Sequence, residues 1–500
     1  MSIFELLYNF STETTSDLTR YEIKEKNDQY FTPIEVTKFM ASMVKEIKKN
    51  EVNILDPGCG IGNLSVTLIM QILKWKNTPK VINLYVYEID ETLSSKLKHI
   101  LSKLQLFCEE RAIKLNYKIF FLDFILESLE NNLELKSKFD FIIMNPPYRK
   151  MNSDSIHNRY LLSYGIDVPN YYAAFISISK QFLKQKGQMV CLIPRSFCSG
   201  VYFKSFRQNL IEDIKIHHIH IFRSRKDIFY DDVQQETIIF SFFKDIQKLN
   251  DKILITESSK SDFSDITQTY KRFDNVIFPH DSQKIIRIIH TADKDIVDKM
   301  HRIPCRLEDL KINISTGPIV HFRENPDSLL FESEDISYPM IYPEHFKKGM
   351  IKWPLKMSKP NFINEDEKNK KRLRPSGIYV LVKRMTTKEE KKRIVAAIFD
   401  NTNYPNQKVG FDNKVNYYHI NKHGLESLDF ARGLCAYLNS SIVDFYFRTF
   451  SGSTQVNVTD LKLLKYPSKA DLIRLGKKSK NINKQEDIDS IINQYLETIH

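Results

Sequence analysis

The 500-residue sequence predicts an α/β chain, with a largely parallel, doubly covered sheet domain followed by a separate domain of mixed α and β structure. Three observations carry this. Between residues 52 and 243, apolar strand-like runs alternate with helical periods. Asp56, Glu88, Asp123 and Asn145 each stand at the end of such a run, where open α/β sheets bind their ligands. From Leu307 to Pro467 the texture changes to short strands, isolated aromatics and clustered basic residues, and 500 residues exceed what one core accommodates.

Residues 1–29 are mixed and polar after Phe4-Glu5-Leu6-Leu7 and read as a short helix and a covering arm. Thr32 suits an N-cap and Pro33 a first helical position, opening an amphipathic helix from Ile34 to Lys48. Strands are then expected at 52–56, 81–88, 117–122, 139–144, 188–193, 214–222 and 234–243. Helices are expected at 63–75, 91–113, 170–186 and 200–212. The sheet domain therefore spans 30–245. Residues 246–300 read as a polar, patternless linker or helical cap, 301–475 as the second domain, and 476–500 as a charged, partly helical tail.

Two stretches carry chemistry. After the strand Val52 to Asp56 come Gly58, Gly60 and Gly62, three of only 14 glycines, leading into a helix. Glycine allows backbone to pass close to a ligand, so this strand–loop–helix points to a nucleotide-like cofactor, with Glu88 at the next strand end placed for ribose hydroxyls. No phosphate-cradling Gly-x-x-x-x-Gly-Lys-Ser/Thr sequence is present. The second stretch is the apolar run Asp140 to Met144, which ends in Asn145-Pro146-Pro147-Tyr148. Two prolines fix the backbone and remove two donors. The Asn145 amide oxygen and Pro146 carbonyl can then accept the two hydrogens of a planar amine, while Tyr148 offers a ring for stacking. An ordinary turn closing a strand is the competing reading of these four residues.

The sequence Asp56-Pro57-Gly58-Cys59-Gly60-Ile61-Gly62, followed by Asn145-Pro146-Pro147-Tyr148, resembles the S-adenosylmethionine-dependent amino methyltransferases. The preceding Gln29-Tyr30-Phe31-Thr32-Pro33 narrows the resemblance to gamma-type adenine-N6 DNA methyltransferases of restriction–modification systems, the TaqI- and HincII-like methylases. It implies a Rossmann-like methyltransferase domain with a C-terminal target-recognition domain, S-adenosyl-L-methionine as cofactor, and a base flipped from double-stranded DNA. By this resemblance Tyr30, Phe31, Thr32, Pro33, Asp56, Gly58, Cys59, Gly60, Glu88, Ile89, Asp123, Phe124 and Asn145 bind cofactor. Phe175 joins them or is simply core. Asn145 to Tyr148 form the catalytic loop, and Tyr148 with Phe242 lines the base pocket, with Phe240 and Phe243 as rivals for the latter role. The stretch Ser451 to Leu461 resembles the closing segment of such recognition domains.

The net charge of +12 fits an anionic partner. Residues 345–395 hold 16 Lys or Arg against 5 Asp or Glu, an excess of 11, so Lys370, Lys371, Arg372, Arg374, Lys383 and Arg384 are candidate DNA contacts. A solvated lysine-rich loop is the alternative. Six cysteines without metal-ligand spacing, no signal peptide and no membrane-length apolar run suggest a cytoplasmic protein, taken as a monomer acting apart from its cognate endonuclease. His217, His218 and His220 lack accompanying ligands, and no metal is expected. An RNA or protein-glutamine methyltransferase could use the same turn, and a non-catalytic DNA-binding subunit is the reading from another class. A fused nuclease would need sequence that is not evident, since Pro326-Asp327 and Asp366-Glu367-Lys368 are poorly spaced.

Overall fold

Central strands of a sheet covered on both faces need apolar residues throughout, and Phe139–Met144 shows this, all six being buried. Its one carboxylate, Asp140, is matched by three donors: Asn53 N at 2.9 Å and the ammonium groups of Lys49 and Lys184 at 2.6 and 2.7 Å. The computed structural model describes residues 3–16, 32–130, 132–223, 237–279, 281–288, 294–333, 337–386, 390–404, 407–451, 455–480 and 484–499. The chain divides into two compact units, Met1–Ile288 and Ile289–His500.

Among the described residues the first unit is built on nine strands: β1 (Glu51–Pro57), β2 (Val81–Tyr87), β3 (Lys114–Phe120), β4 (Phe139–Met144), β5 (Leu183–Pro194), β6 (Lys215–Phe222), β7 (Thr237–Phe243), β8 (Lys252–Ser258) and β9 (Thr267–Arg272). They run in the order β3-β2-β1-β4-β5-β7-β6-β8-β9. The five strands from β3 to β5 pair in parallel, whereas β7 lies antiparallel to both its neighbours. Strand order reverses between β1 and β4, and the crevice beyond their carboxyl ends is where such sheets take a ligand.

Several expected boundaries move. Residues 246–300 are not a patternless linker. They supply β8, parallel to β6, and β9 at the sheet edge, and Phe263 stacks on Phe39 with ring centroids 4.1 Å apart. An edge strand of Thr, Gln, Tyr, Lys and Arg carries almost no apolar signal, which is why the sequence hid it. The helix expected to reach Lys48 ends at Ser42, and its cap position is Pro33 rather than Thr32. The helix expected over 170–186 stops at Phe182, where β5 begins early. The third strand starts at Lys114 rather than 117. Residues 234–236 of the last expected strand lie outside the described residues.

Among the described residues the second unit holds two sheets. One has six strands in the order Asn313–Thr316, Val415–His419, Tyr379–Lys383, Ala396–Phe399, Met350–Ile351, Phe346–Lys347, and the other five short ones. Helices Leu428–Asn439 and Lys469–Lys478 meet where two glycines let their backbones touch: a Cβ on Gly433 would come within 1.8 Å of the Leu472 carbonyl oxygen. The expected boundary at 475/476 therefore cuts a packed helix. The helix Gln485–Glu497 also buries Ile492 and Leu496, so the tail belongs to this unit's core.

Candidate active site

Beyond β1 the chain turns through Gly58, Gly60 and Gly62, whose φ angles of +78°, +57° and +92° favour glycine. The loop is tied to the end of β2. Gly58 N and Cys59 N donate to the Tyr87 carbonyl at 2.8 and 2.9 Å, and Gly60 N donates to Glu88 Oε2 at 2.8 Å. The other Glu88 oxygen accepts from Asp90 N at 2.8 Å. Burial pushes the Glu88 carboxyl up from its ordinary range, while these backbone N–H groups oppose the shift.

These elements enclose one cleft. Its wall includes Thr32, Gly58, Cys59, Gly60, Glu88, Ile89, Asp123, Phe124, Asn145, Pro146, Pro147 and Phe175, so the structure gathers twelve of the expected site residues from six separate segments. Residues that the sequence did not flag complete it, among them Asn63, Tyr87, Arg149 and Tyr171. Phe124 and Phe175 face each other at 4.9 Å between centroids. Phe175 thus belongs to both readings, packed against Phe124 and lining the cleft.

Asp123 is more fully engaged than expected. Oδ1 accepts from Ile125 N and Leu126 N at 2.9 and 3.1 Å, and Oδ2 lies 2.8 Å from His157 Nε2. Burial alone would raise this carboxyl, but His157 and the two backbone donors hold it below its ordinary value. The Tyr171 hydroxyl lies 3.0 Å from His157 Nδ1. Nothing near His157 in sequence marks it, because its helix, Ile156–Ser163, follows a loop without motif character.

The Asn145 side chain is held at both ends. Nδ2 donates to Thr32 Oγ1 at 3.0 Å, and Oδ1 accepts from the Tyr148 hydroxyl at 2.7 Å. Thr32 therefore ties down the Asn-Pro-Pro turn instead of capping a helix. Tyr148 departs from expectation: it is buried, outside the cleft wall, and its hydroxyl also lies 3.2 Å from the Leu192 carbonyl. In this state its ring is not offered for stacking, because the aromatic body is core and only its hydroxyl reaches the loop.

Other expected members sit apart. Asp56 is wholly buried beneath the loop, outside the cleft wall, accepting from Ser65 Oγ at 2.6 Å, and burial pushes its carboxyl up to about 7. Pro33 is half-buried and outside the wall, and Tyr30 and Phe31 lie outside the described residues. Phe242 is buried in β7 between β5 and β6. It packs 5.6 Å from Phe240, as expected of a central strand on a covered sheet. In the second unit Arg372 makes a paired contact with buried Glu324, at 2.7 and 2.6 Å. Arg374 is buried, donating to the Tyr417 hydroxyl at 2.7 Å. Both are structural rather than available to a partner, a distinction a count of charges cannot make. Arg384 is half-buried on the Asn413 carbonyl and Gln455, and Lys383 is half-buried, while Lys370 and Lys371 are exposed.

Sheet order, glycine loop and Asn-Pro-Pro turn at one switch point define an α/β methyltransferase domain. The family model of the Eco57I restriction-modification methylase matches residues 34–229. The chain is 38% identical over 488 residues, 95% of each chain, to Type II methyltransferase M.BsuBI of Bacillus subtilis. It is 35% identical over 487 residues, 95% of this chain and 94% of the other, to Type II methyltransferase M.PstI of Providencia stuartii. Among solved structures, the Type IIL restriction-modification enzyme MmeI shares the fold, with a TM-score of 0.54 at 12% identity over 98% of this chain and 74% of that one. The protein belongs to the type II DNA methyltransferases of restriction–modification systems.

Proposed function

We propose that the protein transfers a methyl group from S-adenosyl-L-methionine to the exocyclic N6 amine of an adenine flipped out of double-stranded DNA. It would be the protective, monomeric cytoplasmic partner of a separate endonuclease. The observation that carries this reading is the convergence of Asn145 and Pro146 on the cleft that also holds the glycine loop, Glu88 and Phe124.

The residues present fit that cofactor. Among the described residues, Glu88 and Asp123 are the carboxylates in the wall and Arg149 the cationic side chain, a balance that suits a sulfonium-bearing nucleoside without phosphates. Glu88 would accept from ribose hydroxyls, and Phe124, Ile89 and Phe175 offer apolar surface to the base. Asp123, fixed by His157, would accept from the base's amino group. When bound, the cofactor supplies an electrophilic methyl group.

The chain's own part is to prepare the nucleophile. An adenine amine is weak because its lone pair is delocalised into the ring. Acceptance of its two hydrogens by Asn145 Oδ1 and the Pro146 carbonyl favours a pyramidal nitrogen with a directed lone pair. Thr32 fixes which end of the amide faces inward by accepting from Nδ2. For Tyr148 to stack on a flipped base, its ring would have to leave the core, so the proposed role of this residue is to orient Asn145 through its hydroxyl.

Offering labelled cofactor with duplex DNA, RNA or a glutamine-bearing protein tests the substrate class. Label is expected in duplex DNA alone, and label confined to RNA or protein would overturn the reading.

A further inference from the structure

A second cavity, of about 340 Å³, lies wholly within the second unit and shares no described residue with the cleft. Four basic side chains, Lys348, Lys392, Arg432 and Lys480, stand in its wall, and no carboxylate does among the described residues. They come from four places in the chain. Lys348 and Gly349, with φ +47° and +78°, form the turn between strands Phe346–Lys347 and Met350–Ile351. Lys392 precedes the strand Ala396–Phe399, Arg432 lies on the helix Leu428–Asn439, and Lys480 follows the helix Lys469–Lys478.

Convergence of like charges on a partly enclosed space is unfavourable unless something answers it. Lys392 shows the imbalance most clearly. Its ammonium donates to two uncharged oxygens, the Asn439 carbonyl and Gln485 Oε1. Burial lowers its pKa, with Lys391 adding to the effect and Asp489 and Asp444 opposing it. Those carboxylates are themselves committed: Asp444 accepts from Arg448 Nε at 2.8 Å, and Asp489 accepts from Ser441 N and Oγ, both at 2.7 Å. Asp429 lies 3.3 Å from Arg432 Nη1, outside the wall.

We propose that this cavity binds a phosphoryl group. Ammonium and guanidinium donors converging from several sides match an oxygen-rich anion, and charge-assisted hydrogen bonds of this kind are the stronger ones. The group is either a backbone phosphodiester of duplex DNA or a free phosphate, and the two present the same oxygens to the same donors. The assignment does not depend on which base or atom is methylated.

Hydrogen–deuterium exchange of the full-length protein tests it, read on peptides spanning 346–351 and 428–439. The probes are inorganic phosphate, a duplex oligonucleotide, and sodium chloride matched in ionic strength. Exchange in both peptides is expected to slow several-fold with one of the first two probes and not with chloride. The exposed-site double variant Lys348→Gln/Lys480→Gln is expected to lose that protection while keeping the wild-type melting temperature. Protection by phosphate assigns a small anion, and protection by duplex alone assigns the DNA backbone. Unchanged exchange with both probes, or protection that persists undiminished in the double variant, would overturn the proposal.

Discussion

Asn145 meets two partners that play different parts, Thr32 below its nitrogen and Tyr148 at its oxygen. Asn145→Ala should lower turnover by about 100-fold or more, in the range seen when one preorganised polar group is removed from a transition state. Cofactor affinity, measured by calorimetry, should stay near wild type. Thr32→Val keeps the shape and deletes the acceptor, so turnover should fall by about five- to tenfold, the worth of one hydrogen bond. Thr32→Ser should restore most of it, and near-normal turnover in Val with a loss in Ser would mean that packing, not orientation, is what Thr32 supplies. Glu88→Ala removes a buried two-oxygen acceptor and should weaken cofactor binding by about 1.5–3 kcal/mol. The glycine loop and the Asn-Pro-Pro turn were legible in sequence because glycine and proline act through the backbone, and their effect is local. That the Tyr148 ring would turn into the core was not legible, nor that Arg372 was already paired with Glu324, since both depend on neighbours far along the chain.

Within elements, β6 carries a titration that should be visible in stability. His218 and His220 share the Thr256 hydroxyl, at 2.7 and 2.9 Å, and burial lowers the pKa of each from 6.5 to about 3. The folded state thus holds them neutral. That contribution is complete above pH 6.5, where the unfolded rings are neutral too, and is lost as pH falls from 6.5 through 3. Melting temperature should drop on acidification below about pH 6.5, and a His220→Asn variant should show a shallower drop. Parallel slopes for the two proteins would contradict this. Gly433→Ala addresses a different element, because its Cβ would strike the Leu472 backbone and force the two helices apart. A loss of about 1–3 kcal/mol is expected by denaturant titration. Strands β1, β2 and β4 were readable from their apolar runs. The polar edge strand β9 was not, as it gains its hydrogen bonds from β8 and buries little.

For the molecule as a whole, the division at Ile288 rather than residue 245 means that a catalytic fragment must keep β8 and β9. If the second unit is the target-recognition domain that the sequence resemblance implies, a fragment ending at 288 should bind cofactor yet fail at site-specific methylation. Neutralising Lys370 and Lys371, which are exposed, should lower the log–log salt slope of DNA binding by about one for each phosphate that is no longer neutralised. Arg372→Gln and Arg374→Gln should instead lower the melting temperature. The chemical step is tested most directly by incubating the full-length protein with isotopically labelled S-adenosyl-L-methionine and duplex DNA, then digesting to nucleosides and identifying the labelled one by mass spectrometry. The proposed transfer to an adenine amine activated by Asn145 predicts N6-methyldeoxyadenosine as the labelled nucleoside, formed more slowly by about 100-fold or more with Asn145→Ala. Label on cytosine, or undiminished label on adenine with Asn145→Ala, would contradict it.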